Sequence, residues 1–198
     1  MKMIIISSLA LILAMVGMVE AGLYTLQPPP SPNHDLWDLD HYKYYAWKIT
    51  SSQFNPPSDE IIIGAGLFFD NIENWNNQPN SLYISLLSGN DLSFAGEVFT
   101  GTDNASGGDD VLTRFDGAAL VTFKDLPDWP QDLVYNFTAD DINMLNAYAG
   151  DGVFGVGFDP DCHYWNDSIV LAIQTIPEPA TCLLLGLGVL MAKRRKRR

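Results

Sequence analysis

Residues 42–49, Tyr-Lys-Tyr-Tyr-Ala-Trp-Lys-Ile, alternate with a period of two. Tyr45, Trp47 and Ile49 fall on one face, and Tyr44, Ala46 and Lys48 on the other. Aromatic and β-branched residues in that pattern predict a strand. Working outward, 61–69 is a nearly unbroken apolar run, and in 82–87 Leu82, Ile84 and Leu86 alternate with Tyr83, Ser85 and Leu87. Further runs occupy 118–123, 133–137, 153–158 and 168–175, the last with Ile169, Leu171 and Ile173 on one face. Each is bounded by Asn, Pro, Gly or Asp, as short strands joined by turns require. About seven such strands predict an all-β fold, a jelly-roll-like β-sandwich.

One short helix interrupts the pattern. Thr138 with Asp141 three residues on reads as a capping box, Ile142, Leu145 and Tyr148 share a face, and Gly150 reads as a left-handed stop.

The two ends have a different composition. Met1-Lys2 followed by the apolar stretch 3–19 and the small-residue pattern Val19-Glu20-Ala21 before Gly22 reads as a secretory signal peptide, residues 1–21, cut between Ala21 and Gly22. Sec-type export machinery and signal peptidase are then the expected partners; a retained membrane anchor is the other reading, and either one sends the bulk of the chain across the inner membrane. Residues 22–40, with Pro28, Pro29, Pro30 and Pro32, predict an extended Pro-rich leader. The sandwich is then expected over 41–176 and a separate tail over 177–198.

That tail consists of Pro177-Glu178-Pro179, an apolar run from Ala180 to Ala192, and the cations Lys193, Arg194, Arg195, Lys196, Arg197 and Arg198. An apolar helix partitions into a bilayer while a block of cations stays on the cytoplasmic side, so the sequence predicts a C-terminal membrane helix that stops export, as the signal helix starts it. The run is short, about 13 residues or roughly 20 Å against a hydrocarbon core of about 30 Å, so spanning needs snorkelling or a thinned bilayer.

In this order the triplet, the Leu/Gly-rich stretch and the basic end resemble the PEP-CTERM sorting signal of exported bacterial proteins. The resemblance implies that an exosortase, an integral-membrane cysteine peptidase-transferase, cuts at or near the triplet. The product is released to the cell surface or extracellular matrix, and this chain is the enzyme's substrate. A second resemblance, of architecture only, is to the jelly-roll modules of exported bacterial proteins.

Between the two ends, residues 22–176 hold 22 acidic side chains against Lys43, Lys48, Arg114 and Lys124, which leaves 22 − 4 = 18 negative charges unbalanced. The basic tail masks this in the whole-chain value of −13. Such a body repels nucleic acid and attracts divalent or cationic partners. Cys162 and Cys182 fall on opposite sides of the triplet, so no disulfide is expected within the exported part.

Carboxylates concentrate in 159–167 (Asp-Pro-Asp-Cys-His-Tyr-Trp-Asn-Asp) and around Asp35, Asp38, Asp40 and His41. Hard oxygen donors at such spacing suit Ca²⁺. With first and last strands adjacent, Asp38, Asp40, Asp159, Asp161 and Asp167 are the candidate calcium ligands, against a plain Asx-turn reading. His41 and His163 could instead join in a transition-metal site, although tetrahedral His spacing is missing. Trp75 and Trp129, set among Asn, Pro and Asp, are the candidates for stacking on sugars, against the reading of all five tryptophans as core. No nucleophile motif or phosphate-cradling loop is present, so no enzyme is expected. The expectation is a structural or interaction role at the cell surface or in exopolysaccharide. The alternatives are a calcium-assisted carbohydrate-binding module and a polysaccharide hydrolase or lyase.

Overall fold

A computed structural model of the chain describes residues 21–30, 36–103, 108 and 110–178. The expected signal segment, Pro179 and the apolar and basic parts of the tail lie outside the described residues. Among the described residues no helix is long and apolar enough to cross a membrane.

Eleven strands form two antiparallel sheets: β1 (Gly22–Leu26), β2 (Asp38–Leu39), β3 (Lys43–Thr50), β4 (Glu60–Asn74), β5 (Ser81–Ser88), β6 (Val98–Thr102), β7 (Gly117–Lys124), β8 (Gln131–Asn136), β9 (Val153–Pro160), β10 (Tyr164–Trp165) and β11 (Ser168–Pro177). Sheet I runs β1-β11-β4-β10-β2, with β8 also paired to β4, and sheet II runs β6-β3-β9-β5-β7. Among the described residues are two α-helices: α1 (Asp110–Arg114) falls between β6 and β7 of sheet II, and α2 (Ala139–Ala149) leads from β8 of sheet I to β9 of sheet II. The protein is therefore mostly β in two sheets, and all seven expected strands are present.

The alternation read from sequence becomes two cores. Inward residues Trp47, Ile49, Leu82, Ile84, Leu86, Ile169, Leu171 and Ile173 join the main core between the sheets. Phe69 of sheet I meets Phe158 of sheet II edge-on, with ring centroids 6.1 Å apart, and Phe123 at 6.2 Å. The opposite faces of β3 and β5 are buried as well. Tyr44, Ala46 and Leu87 pack with Leu92, Val111 and Phe115 under α1 and the preceding loops. Sheet II is thus covered on both sides, whereas the outer face of sheet I leaves Phe68 and Val134 exposed.

Three sequence boundaries shift. Residues 22–40 are not only a leader: Gly22–Leu26 pairs with β11, Gly22 opposite Thr175, and Asp38–Leu39 pairs with β10. Short strands with few apolar residues carry little periodic signal, and their place is set by the neighbour that offers an open edge. The sandwich also continues through Pro177, which pairs with Glu60. Thr138 and Asp141 do form the capping box of α2, but Gly150 is right-handed, and the left-handed residue is Gly152 with φ 82°. The N–H of Gly152 reaches the Ala149 carbonyl at 2.9 Å, so the turn closes two residues later than expected.

One irregularity matters for the site. The β4–β8 register breaks between Phe69 and Ile72, where Asn71 adopts φ 51°. Asn tolerates this conformation, and such a bulge re-aims the strand beyond it. The bulge is held by the Asn71 amide on Asp167 at 2.7 Å and by Asp132 accepting the Asn71 N–H at 3.3 Å. Past it, Glu73 and Asn74 leave β8 and pair with β10.

Because Phe158 is fully buried and bridges the sheets, Phe158→Ala is expected to lower unfolding free energy by about 3–5 kcal/mol in urea titration. A loss below about 1 kcal/mol would contradict this inter-sheet packing.

Candidate functional site

The end of β4 with β10 and β2 makes a narrow three-stranded ribbon whose two faces differ sharply. Tyr164 lies opposite both Leu39 and Asn74, all buried, while Trp165 lies opposite both Asp38 and Glu73 on the outward side. One step further along, the Trp75 N–H donates to the His163 carbonyl at 3.0 Å, which continues the register and brings Trp75, His163 and Asp40 into the next outward row. Two exposed indoles, Trp75 at 55% and Trp165 at 44%, therefore share one face with three carboxylates and an imidazole.

Buried asparagines hold this ribbon on the sandwich. The Asn80 side chain accepts from Tyr164 Oη at 2.9 Å and exchanges two 2.9 Å bonds with the Leu126 backbone. The Asn166 amide donates to the Leu36 carbonyl at 2.8 Å. Trp75 is steered in turn, because its Nε1–H donates to Cys162 Sγ at 3.2 Å. Cys162 is thus a free thiol used as an acceptor.

Loop 39–42 is pinned from below. Tyr45, buried in the core, accepts the Asp40 N–H at 2.9 Å and donates to the Asp38 carbonyl at 3.2 Å. Burial pushes the Asp40 carboxyl up, but the Tyr42 N–H, Lys43 and His41 outweigh it, so the group sits below the usual carboxylate value. Lys43 Nζ lies 3.2 Å from Asp40 Oδ2, and His41 Nδ1 lies 3.6 Å from Asp40 Oδ1. His163 Nε2 abuts Asp38 Oδ1, and its ring leans on Trp165 at 5.0 Å.

The five carboxylates expected to gather around calcium divide into separate places. Asp38 and Asp40 stay at the ribbon. Asp161 turns to accept the Ser81 N–H. Asp167 lies at the bulge with Asn71, where Asp70 is pushed up by burial and then by the Asp132 and Asp167 charges. Asp159 points the other way, into the second core, where its Oδ2 accepts the Val111 N–H at 3.2 Å. Sequence spacing placed the two Asp-x-Asp pairs near one sheet end but could not show that β9 alternation turns Asp159 under α1.

The two tryptophans chosen for exposure are both exposed, Trp129 most of all at 63%. Trp129 sits in the loop that joins β7 to β8, and the Asn74 N–H to Pro127 carbonyl bond, 2.8 Å, ties that loop to the ribbon. Glu73 was missed because it lies past an apolar run that gives no sign of ending in a bulge. Trp165 was one of five tryptophans without a deciding signal, though the dipeptide Tyr164-Trp165 fits an inward–outward pair.

Fold and composition together define an acidic, mostly β protein of two packed sheets. The family described as the PEP-CTERM protein-sorting motif matches residues 175–198, so the chain carries that motif, which implies an extracellular protein processed by an exosortase. The motif's first residues are the last of β11, and the Glu178 N–H donates to the Asp59 carbonyl at 2.6 Å.

No curated protein matches the chain. Among solved structures, similarity is found to a recombinantly expressed latent aurone synthase (polyphenol oxidase), with 11% identity and TM-score 0.38 over 77% of this chain and 28% of that one. Others are a carbohydrate-binding module from the glycoside hydrolase family 9 protein Cel9A of Ruminococcus flavefaciens FD-1 (13%, TM-score 0.33, 76% and 97%) and the decameric BFDV capsid protein (10%, TM-score 0.33, 81% and 96%). This chain thus spans under a third of the first protein and nearly all of the other two. Likeness at these scores carries no argument about activity.

Burial pushes the Asp159 carboxyl up to about 6 from 3.8, aided by the Asp103 and Asp110 charges and resisted by the Val111 and Asp110 N–H groups. Between about pH 4 and pH 6 the unfolded chain therefore releases this proton while the folded chain keeps it, and stability falls as pH rises through that window. Asp159→Asn should accordingly gain in urea midpoint relative to the parent on going from pH 4 to pH 7. A pH-independent difference would remove Asp159 as the cause.

Proposed function

We propose that the protein is an exported interaction module, jelly-roll-like in its connections, that attaches to extracellular glycan through the outward face of the β4–β10–β2 ribbon. The observation that carries this reading is the pairing of flat exposed rings, Trp75 and Trp165, with Asp38, Glu73 and Asp40 on the same face. A sugar ring offers axial C–H groups to an indole face and hydroxyl donors to carboxylate oxygens. The arrangement supplies both at neighbouring positions. The 18 unbalanced negative charges of the body favour neutral or amino-sugar polymers over acidic ones. Attachment, rather than turnover, is the role this reading assigns, with exopolysaccharide as the partner.

Affinity electrophoresis in gels of neutral glucan and of amino-sugar polymer, with and without calcium, tests it. Trp75→Ala and Trp165→Ala should each weaken retention several-fold, about 0.5–1.5 kcal/mol per ring, with melting temperatures unchanged because both rings are exposed. Asp159→Asn, outside the ribbon, should retain parental mobility. Equal retention of the Trp75→Ala/Trp165→Ala double variant would refute the assignment.

The route to the surface follows from the tail. Paired strand extends through Pro177, and Glu178 is tied to Asp59, so a cut upstream of Pro177 would have to peel β11 out of the sheet. Intact mass of the secreted protein should therefore place the new C-terminus at Glu178 or beyond. The triple substitution Pro177→Ala, Glu178→Ala, Pro179→Ala should leave an uncleaved membrane-bound form. A mature end within β11, or normal release of the triple variant, would contradict this route.

A further inference from the structure

Two buried ring nitrogens at the ribbon meet carboxylates in ion-pair contact but make no hydrogen bond. His41 Nδ1 and His163 Nε2 are both shielded from solvent, and neither makes a hydrogen bond, although 31% and 25% of the respective side chains remain exposed. His163 Nε2 abuts Asp38 Oδ1 without the geometry of a hydrogen bond, and His41 Nδ1 stands 3.6 Å from Asp40 Oδ1. Two imidazole nitrogens that both face carboxylates without hydrogen-bond geometry call for a common explanation.

We propose that Asp40, His41 and His163 form a site for a divalent transition metal, with Zn²⁺ the natural occupant and Asp38, in contact with His163, beside it. One ligand atom each from Asp40, His41 and His163 lies within 4.8 Å of the other two. Donors around a tetrahedral zinc ion stand about 3.3–3.5 Å apart, given bonds of about 2.0–2.1 Å. The His41–Asp40 separation, 3.6 Å, is already close to that value, and no pair in the set is more than 4.8 Å apart. Two imidazoles with one carboxylate suit zinc, whereas calcium takes oxygen donors throughout.

The surroundings are those of a positioned ligand set. Tyr45 fixes the backbone of both aspartates from within the core. Tyr42 packs against His41 at 3.9 Å and Trp165 against His163 at 5.0 Å, tilted by 48° and 53° respectively, which limits the swing of each ring. Lys43 pairs with Oδ2 of Asp40, while Oδ1 accepts the Tyr42 N–H at 3.2 Å and faces His41 Nδ1 at 3.6 Å, and the half-exposed Lys43 chain can withdraw to solvent. The ion would staple the two-residue strand β2 to β10 beside the tryptophans. The site shares Asp40 with the glycan face, so a bound ion would leave the sugar contacts to the rings, Asp38 and Glu73, and zinc and sugar binding are assayed separately.

The test uses tag-free protein stripped with chelator. Titration calorimetry with ZnCl₂ should give one equivalent bound at a Kd of ~1 µM or tighter, and CaCl₂ should give no comparable heat. Zinc should shift the NMR ring resonances of His41 and His163 in the parent protein, a readout that needs no variant. His41→Ala and His163→Ala should each weaken zinc binding at least 10-fold, whereas Asp159→Asn should not. Absence of stoichiometric zinc binding, unshifted ring signals, or unchanged affinity in a folded His41→Ala/His163→Ala double variant would each overturn the proposal.

Discussion

Face-to-face burial of two antiparallel sheets, concentrated where Phe69 meets Phe158 and Phe123, is the interaction on which the rest of the molecule depends. It commits one face of every long strand. What differs between the sheets is the fate of the other face. Sheet II buries much of it in a second apolar cluster beneath α1. Sheet I keeps its outer side open, and beyond the Asn71 bulge it runs on as a ribbon too narrow to need a core of its own. Polar and aromatic side chains can collect there at little cost to folding.

The acidic surplus is distributed to match. Among the described carboxylates, Asp141 is consumed locally: its Oδ2 accepts from the Thr138 N–H, Thr138 Oγ1 and Tyr135 Oη at 2.6–2.8 Å. Burial pushes that carboxyl up, the three donors more than offset it, and the group ends below its ordinary value. Tyr135 shows the converse, raised to about 12 by burial and by the same carboxylate. Asp159 is sealed under α1, and Asp167 with Asp132 secures the bulge. Asp38 and Asp40 stay at the ribbon beside aromatic rings and imidazoles.

Much of the fold could be read from the chain because long strands with one buried face announce themselves by alternation. Tyr45, Trp47 and Ile49 against Tyr44 and Ala46 anticipates both cores. The capping box at Thr138 and Asp141 was equally local. Illegible were β1, β2, β6 and β10, short segments whose pairing is decided by open edges of longer strands. The candidate site suffered from the same limit. Exposure of Trp75 and Trp129 followed from their polar neighbours, but the partnership of Trp75 with Trp165, Asp38 and His163 depends on a bulge and on three strands meeting. No spacing along the sequence records that. Likewise, five aspartates looked like one cation site until strand alternation sent Asp159 inward and Asp161 to the Ser81 backbone.

Hydrogen–deuterium exchange of the secreted protein with and without a retained glycan tests the central claim most directly. Binding at the ribbon predicts added protection confined to residues 37–43, 72–76 and 162–166, with the outer face of β8, β4 and β11 around Phe68 and Val134 unchanged. Protection centred on that outer face, or none in the three ribbon segments, would contradict the account.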